Sequence, residues 1–254
     1  MVQTASQDVQ PAGMSDTEWS ARIELAAAHR LADRFGWTNL VYNHITLRVP
    51  GEDNCFLLKP NDELFNEVTA SSLVKLDLEG NVQDGSRAVN VAGFNIHTAV
   101  LKARPEINCS IHVHTKAGMA ISALDVDLLP LTQGSMRFYR RIAYHEYYGI
   151  SDKEAERAQI AMDIGQMKVM ILRNHGLLTC APGIGEAMMS MKYLIDSCEV
   201  QLAAQASGAP LRLPPPEMCE MAAEQWDAHD KGGNVAEWNA LMRMAEALDP
   251  SFKR

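Results

Sequence analysis

Excess positive charge, long apolar runs and paired cysteines are all missing from this sequence, and each absence removes a class of protein. Lys and Arg number 23 against 32 Asp and Glu, giving a formal net charge of −9 over 254 residues. No basic cluster exceeds Arg140-Arg141. A general polyanion binder carries a basic face that releases counterions, so a nucleic-acid partner is not expected. No apolar run approaches the roughly 20 residues needed to span a bilayer. The opening stretch MVQTASQDVQPAGMSD has neither a basic n-region nor an apolar h-region. The expectation is a cytoplasmic chain with no membrane partner. The five cysteines (Cys55, Cys109, Cys180, Cys198, Cys219) are scattered, odd in number and without a CxxC. They read as reduced core thiols, neither a disulfide framework nor a zinc ribbon.

What is present is enough apolar residue, 47 %, for one sizeable α/β core. Residues 1–14 are polar and small and read as a disordered leader. Ser15 with Glu18 three later starts an amphipathic helix that runs to Gly36. The run from Asn43 to Lys59 is a hairpin pattern around Pro50-Gly51, and a third strand follows in LVKLDLEGNV. Apolar spacing predicts a helix through Phe94, His97, Val100 and Leu101, stopping before Pro105. A strand from Asn108 to His114 comes directly after it. Ser151 and Glu154 repeat the helix-start pattern, with an end near Gly165. KVMILRN is a buried strand, Asn174-His175-Gly176 a turn and LLTCA another strand. A long helix fills Ile184 to about Ala206. This order predicts a domain over residues 15–210 and a helical extension over 211–254, packed on the domain or on a neighbouring subunit, with Trp238 to Leu248 its clearest helix.

Alternation on the strand NCSIHVHT places Ser110, His112 and His114 on one face. Two imidazoles side by side can reach one ion at about 2.0–2.1 Å. His175 lies in a turn after a buried strand, where a loop can bring it to the same sheet end. Three histidine ligands leave a fourth position open, the arrangement of a catalytic metal site. From spacing alone, the metal reading and the reading of core histidines both stand. Met188, Met189 and Met191 read as core or interface, and Thr69 and Ser71 as turn or helix caps. His97 and His145 read as satisfied polar groups near the sheet, and His29 and His229 as surface residues.

IHVHTKAGMAIS, LRNHGLLT, RPEINCS, YNHITLRVPG, FLLKPNDELFNEVTASSLVKLDLEGNV and YHEYYG resemble, in order, the blocks of the class II aldolase/adducin family, over residues 18 to about 205. The resemblance implies an α/β fold, a three-layer α/β/α sandwich around a mainly antiparallel sheet. It also implies a homo-oligomer, a tetramer with active sites between subunits. It implies a divalent ion on His112, His114 and His175, Zn²⁺ first and Mn²⁺ or another divalent ion as the alternative. The departures carry equal information. The family's sugar-phosphate aldolases place Ser-Ser-Glu before the helix that leads into the His-x-His strand, and its Glu serves as acid/base. Here those positions are Val91, Ala92 and Gly93, 19 residues before His112. The phosphate-cradling Gly-Asn of the first hairpin becomes Asn43-His44. Both phosphate-holding elements are replaced together, as in the adducin-like branch, so an unphosphorylated small-molecule substrate is expected.

His44 is the candidate replacement acid/base, because imidazole titrates near neutrality. A structural hydrogen bond to backbone is the competing reading, and Glu146, Tyr139 and Tyr148 are alternatives. The function implied is a metal-dependent lyase acting by retro-aldol cleavage or decarboxylation on a small carbonyl or aromatic carboxylate compound. The alternative is a catalytically silent metal-binding scaffold, with an adducin-type cytoskeletal or actin-binding role as its variant. Against that variant, the chain reads as ending soon after the fold, at DPSFKR, without a long basic tail.

Overall fold

The computed structural model describes residues 10–84, 87–149 and 154–254. Helix α1, Asp16–Arg34, is capped by Ser15, whose hydroxyl accepts from the Glu18 N–H at 3.1 Å. It ends where Gly36 turns the chain at φ +74°. Strands β1 (His44–Arg48) and β2 (Cys55–Leu58) form the first hairpin around Pro50-Gly51. Gly51 takes φ +80° there. β3 is Val74–Asp77 and α2 is Val91–Ala103, its N-cap Asn90 accepting from the Gly93 N–H. β4, Cys109–Val113, leads into α3, Lys116–Ser122, and the short α4, Gln133–Met136. β5 (Ile142–His145), α5 (Glu154–Ile164), β6 (Val169–Leu172) and β7 (Gly176–Ala181) follow. The chain closes with α6 (Ile184–Ala206), α7 (Pro216–Asp230), α8 (Val235–Leu248) and a 3₁₀ turn, Pro250–Lys253. The expected cap of α5 at Ser151 and the leader through residue 9 lie outside the described residues.

The strands form one seven-stranded sheet in the order β3-β2-β1-β4-β7-β6-β5, antiparallel throughout except for the β5–β6 pair. Helices cover both faces, which gives the three-layer α/β/α sandwich. Ile45, Leu47, Ile111, Val113 and Leu177 point to the face under α1, α6 and α8. Phe56, Leu58, Met170, Leu178 and Cys180 point to the opposite face with Ile96, Val100 and Ile160 from α2 and α5. The second face is the one that carries the even-numbered residues of β1 and β4, and therefore the histidines.

The last helices lie against the same domain. α8 packs on α1 and α6, and α7 on α4. The carbonyls of Phe252 and Arg254 accept from the Ala70 and Ser71 N–H groups at 2.8 Å each. Met188 and Met191 sit in the core. Thr69 and Ser72 cap one another's backbone, as a turn does.

His29 departs from the sequence expectation. It is fully buried on α1, its Nδ1 bonded to the Leu25 carbonyl at 2.7 Å and its ring set edge-on to Phe65 at 4.7 Å. It falls one helical turn after Leu25, on the stripe that faces the sheet, so its position on the helix overrides its polarity. His229 is half exposed.

Candidate metal centre

β4 lies at the centre of the sheet, with His112 directly opposite His44 of β1 on one side and Leu178 of β7 on the other. His112 is buried, and its Nδ1 lies 2.9 Å from the Leu177 carbonyl. A carbonyl only accepts, so Nδ1 carries the proton and the Nε2 lone pair faces away from the strand. His114 follows the end of β4, and its N–H donates to the Asn43 side chain at 3.2 Å. The Asn43 amide in turn donates to the Trp37 carbonyl, tying the loop before β1 to the end of β4.

His175 is held in the turn between β6 and β7. Asn174 takes the left-handed conformation there, φ +54°, one of the few non-glycine residues that adopt it at little cost. The Asn174 and His175 N–H groups donate to the carbonyls of Ser122 and Leu172 at 3.0 and 3.1 Å. At Gly176 a Cβ would meet the Val113 carbonyl oxygen at 2.6 Å and His114 Cδ2 at 2.9 Å. Only glycine lets β7 start so close to the end of β4.

The result is a triangle of nitrogens. His112 and His114 Nε2 are 2.8 Å apart, His114 and His175 Nε2 2.9 Å, and His112 and His175 Nε2 3.3 Å. Two nitrogens bound tetrahedrally at 2.0–2.1 Å from one ion lie about 3.3 Å apart, so the triangle fits a metal with a slight contraction. Burial, then neighbouring imidazoles, holds His112 well below the usual imidazole range and lowers His175 to about 4. Burial also lowers His114. All three therefore present neutral lone pairs at neutral pH, the form that binds metal. Among the described residues no carboxylate joins the group. The Leu177 carbonyl is the outer partner that orients His112.

The triad forms part of the wall of a cavity of about 390 Å³ that His44, Asn39, Tyr42, Asn90, Ala92, Gly93, Ile96, Met119, Tyr147 and Asn174 also line. Among the described residues, no Lys, Arg, Asp or Glu lines it. His44 is 4 % exposed, and neither ring nitrogen has a hydrogen-bond partner among the described residues. The backbone hydrogen bond offered as its competing reading is therefore not present. Of the alternatives, Glu146 is exposed, Tyr139 is remote from the cavity lining, and Tyr148 packs on His145. Of the tyrosines in that segment, Tyr147 is the one that lines the cavity, which Tyr42 also lines. His97 bonds Thr46 Oγ1, and His145 bonds Asp163 at 2.7 Å. Sequence reasoning missed Asn43, Tyr147 and the steric demand at Gly176. The Asn-His-Gly turn was the one local pattern that pointed toward any of these.

The family model described as class II aldolase and adducin N-terminal domain matches residues 23–202. The chain belongs to the class II aldolase and adducin family. Among solved structures, an aldolase II superfamily protein from Pseudomonas syringae superposes with a TM-score of 0.91 at 40 % identity, covering 95 % of this chain and 98 % of that one. An L-fuculose 1-phosphate aldolase from Glaciozyma antarctica gives 0.83 at 30 % identity, covering 97 % of each. Rat alpha-adducin is 41 % identical over 243 residues, 89 % of this chain and 33 % of the adducin. This class II aldolase/adducin chain is thus about as similar to part of an animal adducin as to bacterial relatives. No helix among the described residues is long and apolar enough to cross a membrane.

Proposed function

We propose that the chain is a divalent-metal lyase that breaks a C–C bond, by retro-aldol cleavage or decarboxylation, in a small unphosphorylated carbonyl or aromatic carboxylate compound. The observation that carries this reading is the convergence of three Nε2 atoms within 2.8–3.3 Å on a cavity that no charged side chain lines among the described residues. A divalent ion on His112, His114 and His175, Zn²⁺ first, supplies a Lewis acid for a carbonyl or carboxylate oxygen and stabilises the enolate charge both reactions develop. The chain's own residues do the rest. Asn39, Asn90 and Asn174 offer amides that orient oxygens, and Tyr42, Tyr147, Met119 and Ile96 provide apolar walls.

Among the described lining residues outside the triad, beside the hydroxyls of Tyr42 and Tyr147, His44 is the imidazole, whose two nitrogens can give and take a proton at once. Burial holds it well below the usual imidazole range. It is therefore neutral at neutral pH, with one nitrogen to accept a substrate hydroxyl proton and the other to donate. The name of the Glaciozyma relative points to a phosphorylated sugar. Against that substrate here stand Val91 and Ala92 at the serine positions and the lack of Lys or Arg among the described lining residues.

Metal analysis of the purified protein is expected to find about one ion per chain, one being what three ligands and an open position hold. His112→Ala is expected to lose it, and a metal-free wild type would sink the reading. Unphosphorylated aldehydes, hydroxy-ketones and aromatic carboxylates are then assayed beside L-fuculose 1-phosphate. Faster turnover of the phosphate ester would overturn the substrate class. A bound ion with no turnover of any would favour the second reading, a silent metal-binding scaffold, which the 41 % identity to alpha-adducin supports. A homotetramer and a cytoplasmic location complete the proposal.

A further inference from the structure

Position 93 lies in the first turn of α2, where alanine is a better helix former than glycine. Glycine there needs a physical reason, and the His44 ring is that reason. A Cβ built on Gly93 would meet Cγ, Cδ2 and Cε1 of His44 at 2.7 Å each. Equal distances to three ring atoms place the Cβ over the face of the imidazole, so the ring lies flat on the glycine. Ordinary contact begins at 3.4 Å, and the buried ring, carried by β1, lies against α2 at this glycine.

Among the described residues no group hydrogen-bonds either nitrogen of that ring. His112 uses Nδ1 on the Leu177 carbonyl and turns Nε2 to the other two histidines. His97 uses Nδ1 on Thr46 Oγ1, and its ring, nearly perpendicular to that of His44 with centroids 6.1 Å apart, leaves its own Nε2 without a partner among the described residues. Asn90 spends its side-chain oxygen on the Gly93 N–H. Buried polar atoms in native proteins find a partner, and when the protein offers none the partner comes from water or ligand. His44 lines the cavity beside the triad, so a bound molecule is placed to supply it.

We infer that His44 and Gly93 act as one unit. Gly93 is the positioning residue, whose missing side chain admits the His44 ring to the cavity wall, and His44 is the group that hydrogen-bonds a hydroxyl or carbonyl of the substrate next to its metal-binding end. A side chain at 93 and a ring at 44 exclude each other. The role given to His44 rests on the lyase reading above, whereas the packing of the pair does not.

The test is a double-mutant cycle on the full chain with Gly93→Ala, His44→Ala and the double variant. In urea unfolding, Gly93→Ala is expected to lower the midpoint in the His44 background and to leave it unchanged or raised in the His44→Ala background. Additive shifts would overturn the pair. The second arm uses Co²⁺-loaded protein, following the cobalt absorption band during titration with acetohydroxamate and with glycolohydroxamate, which adds one hydroxyl to the same chelating head. Wild type is expected to prefer glycolohydroxamate by roughly fivefold to tenfold, the value of one net hydrogen bond. Each single variant is expected to lose the preference, read as the ratio of the two affinities within that variant, and the double variant to lose no more than His44→Ala. A preference kept in either single variant would overturn the substrate-facing role. Failure of wild type to bind Co²⁺ at all would instead overturn the lyase reading and that role with it, while the unfolding cycle still decides the pair.

Discussion

A methyl group at position 176 would lie 2.6 Å from the Val113 carbonyl oxygen, and the chain has no flexible side chain there to yield. Gly176→Ala must push β7 away from β4 or bend the turn that carries His175. Overpacking of this kind costs about 1–3 kcal/mol, and a loss of that size in urea unfolding is the expected result. Metal affinity should fall with it, because the shift moves one ligand relative to the other two. Equal stability and affinity in the variant would show that the turn has slack the close contact denies. At this scale the grouping of His112, His114 and His175 was legible in the sequence because alternation and one turn pattern are local rules, whereas their role as ligands came only from the family resemblance. The pairing of His44 with Gly93 was not, since 49 residues separate them and only the packing of α2 on β1 makes them touch. Tyr147 was passed over for Tyr148 because sequence cannot say which of two adjacent exposed tyrosines borders the cavity.

Elements were legible in proportion to their length. α1, α2 and α6 carry apolar spacing and caps over 19, 13 and 23 residues, long enough for the helical period to stand out. The 7-residue α3 and the 4-residue β5 are too short for any period. α1 also anchors the sheet edge through a feature that composition hides. Arg22 is 1 % exposed, pairs with Glu18 and Asp84, and donates to the carbonyls of Ala70 and Leu73. One guanidinium thus fastens the helix to the loop that enters β3. Arg22→Met removes every one of those bonds and leaves Glu18 buried with Lys75 as its remaining cation. Breaking a buried pair on one side costs about 3–5 kcal/mol. Calorimetry is expected to show a corresponding drop in Tm, and a change under 1 °C would mean that the clamp contributes nothing net.

Across the whole molecule, burying histidines makes the fold sensitive to acid. His29 and His97 are fully buried, and burial lowers both to about 3. In the unfolded chain they titrate near 6.5, so below that value the unfolded chain binds more protons than the folded one. Stability is whole above pH 6.5 and is lost as pH falls toward 3, at up to about 1.4 kcal/mol per pH unit for each histidine. Urea midpoints measured with EDTA at pH 7, 6 and 5 are expected to fall more steeply in wild type than in His29→Gln, and parallel lines would refute the assignment. The layered architecture was readable from the order of elements, but the strand order was not, because register is set by contacts between distant segments. That register gives the metal centre a second meaning. Two ligands come from β4 and its end and the third from the turn that begins β7, so a slip of one residue between these strands would turn His112 to the opposite face. An ion bound at full stoichiometry therefore certifies that the central strands are correctly aligned, and metal content becomes an assay of assembly as well as of chemistry.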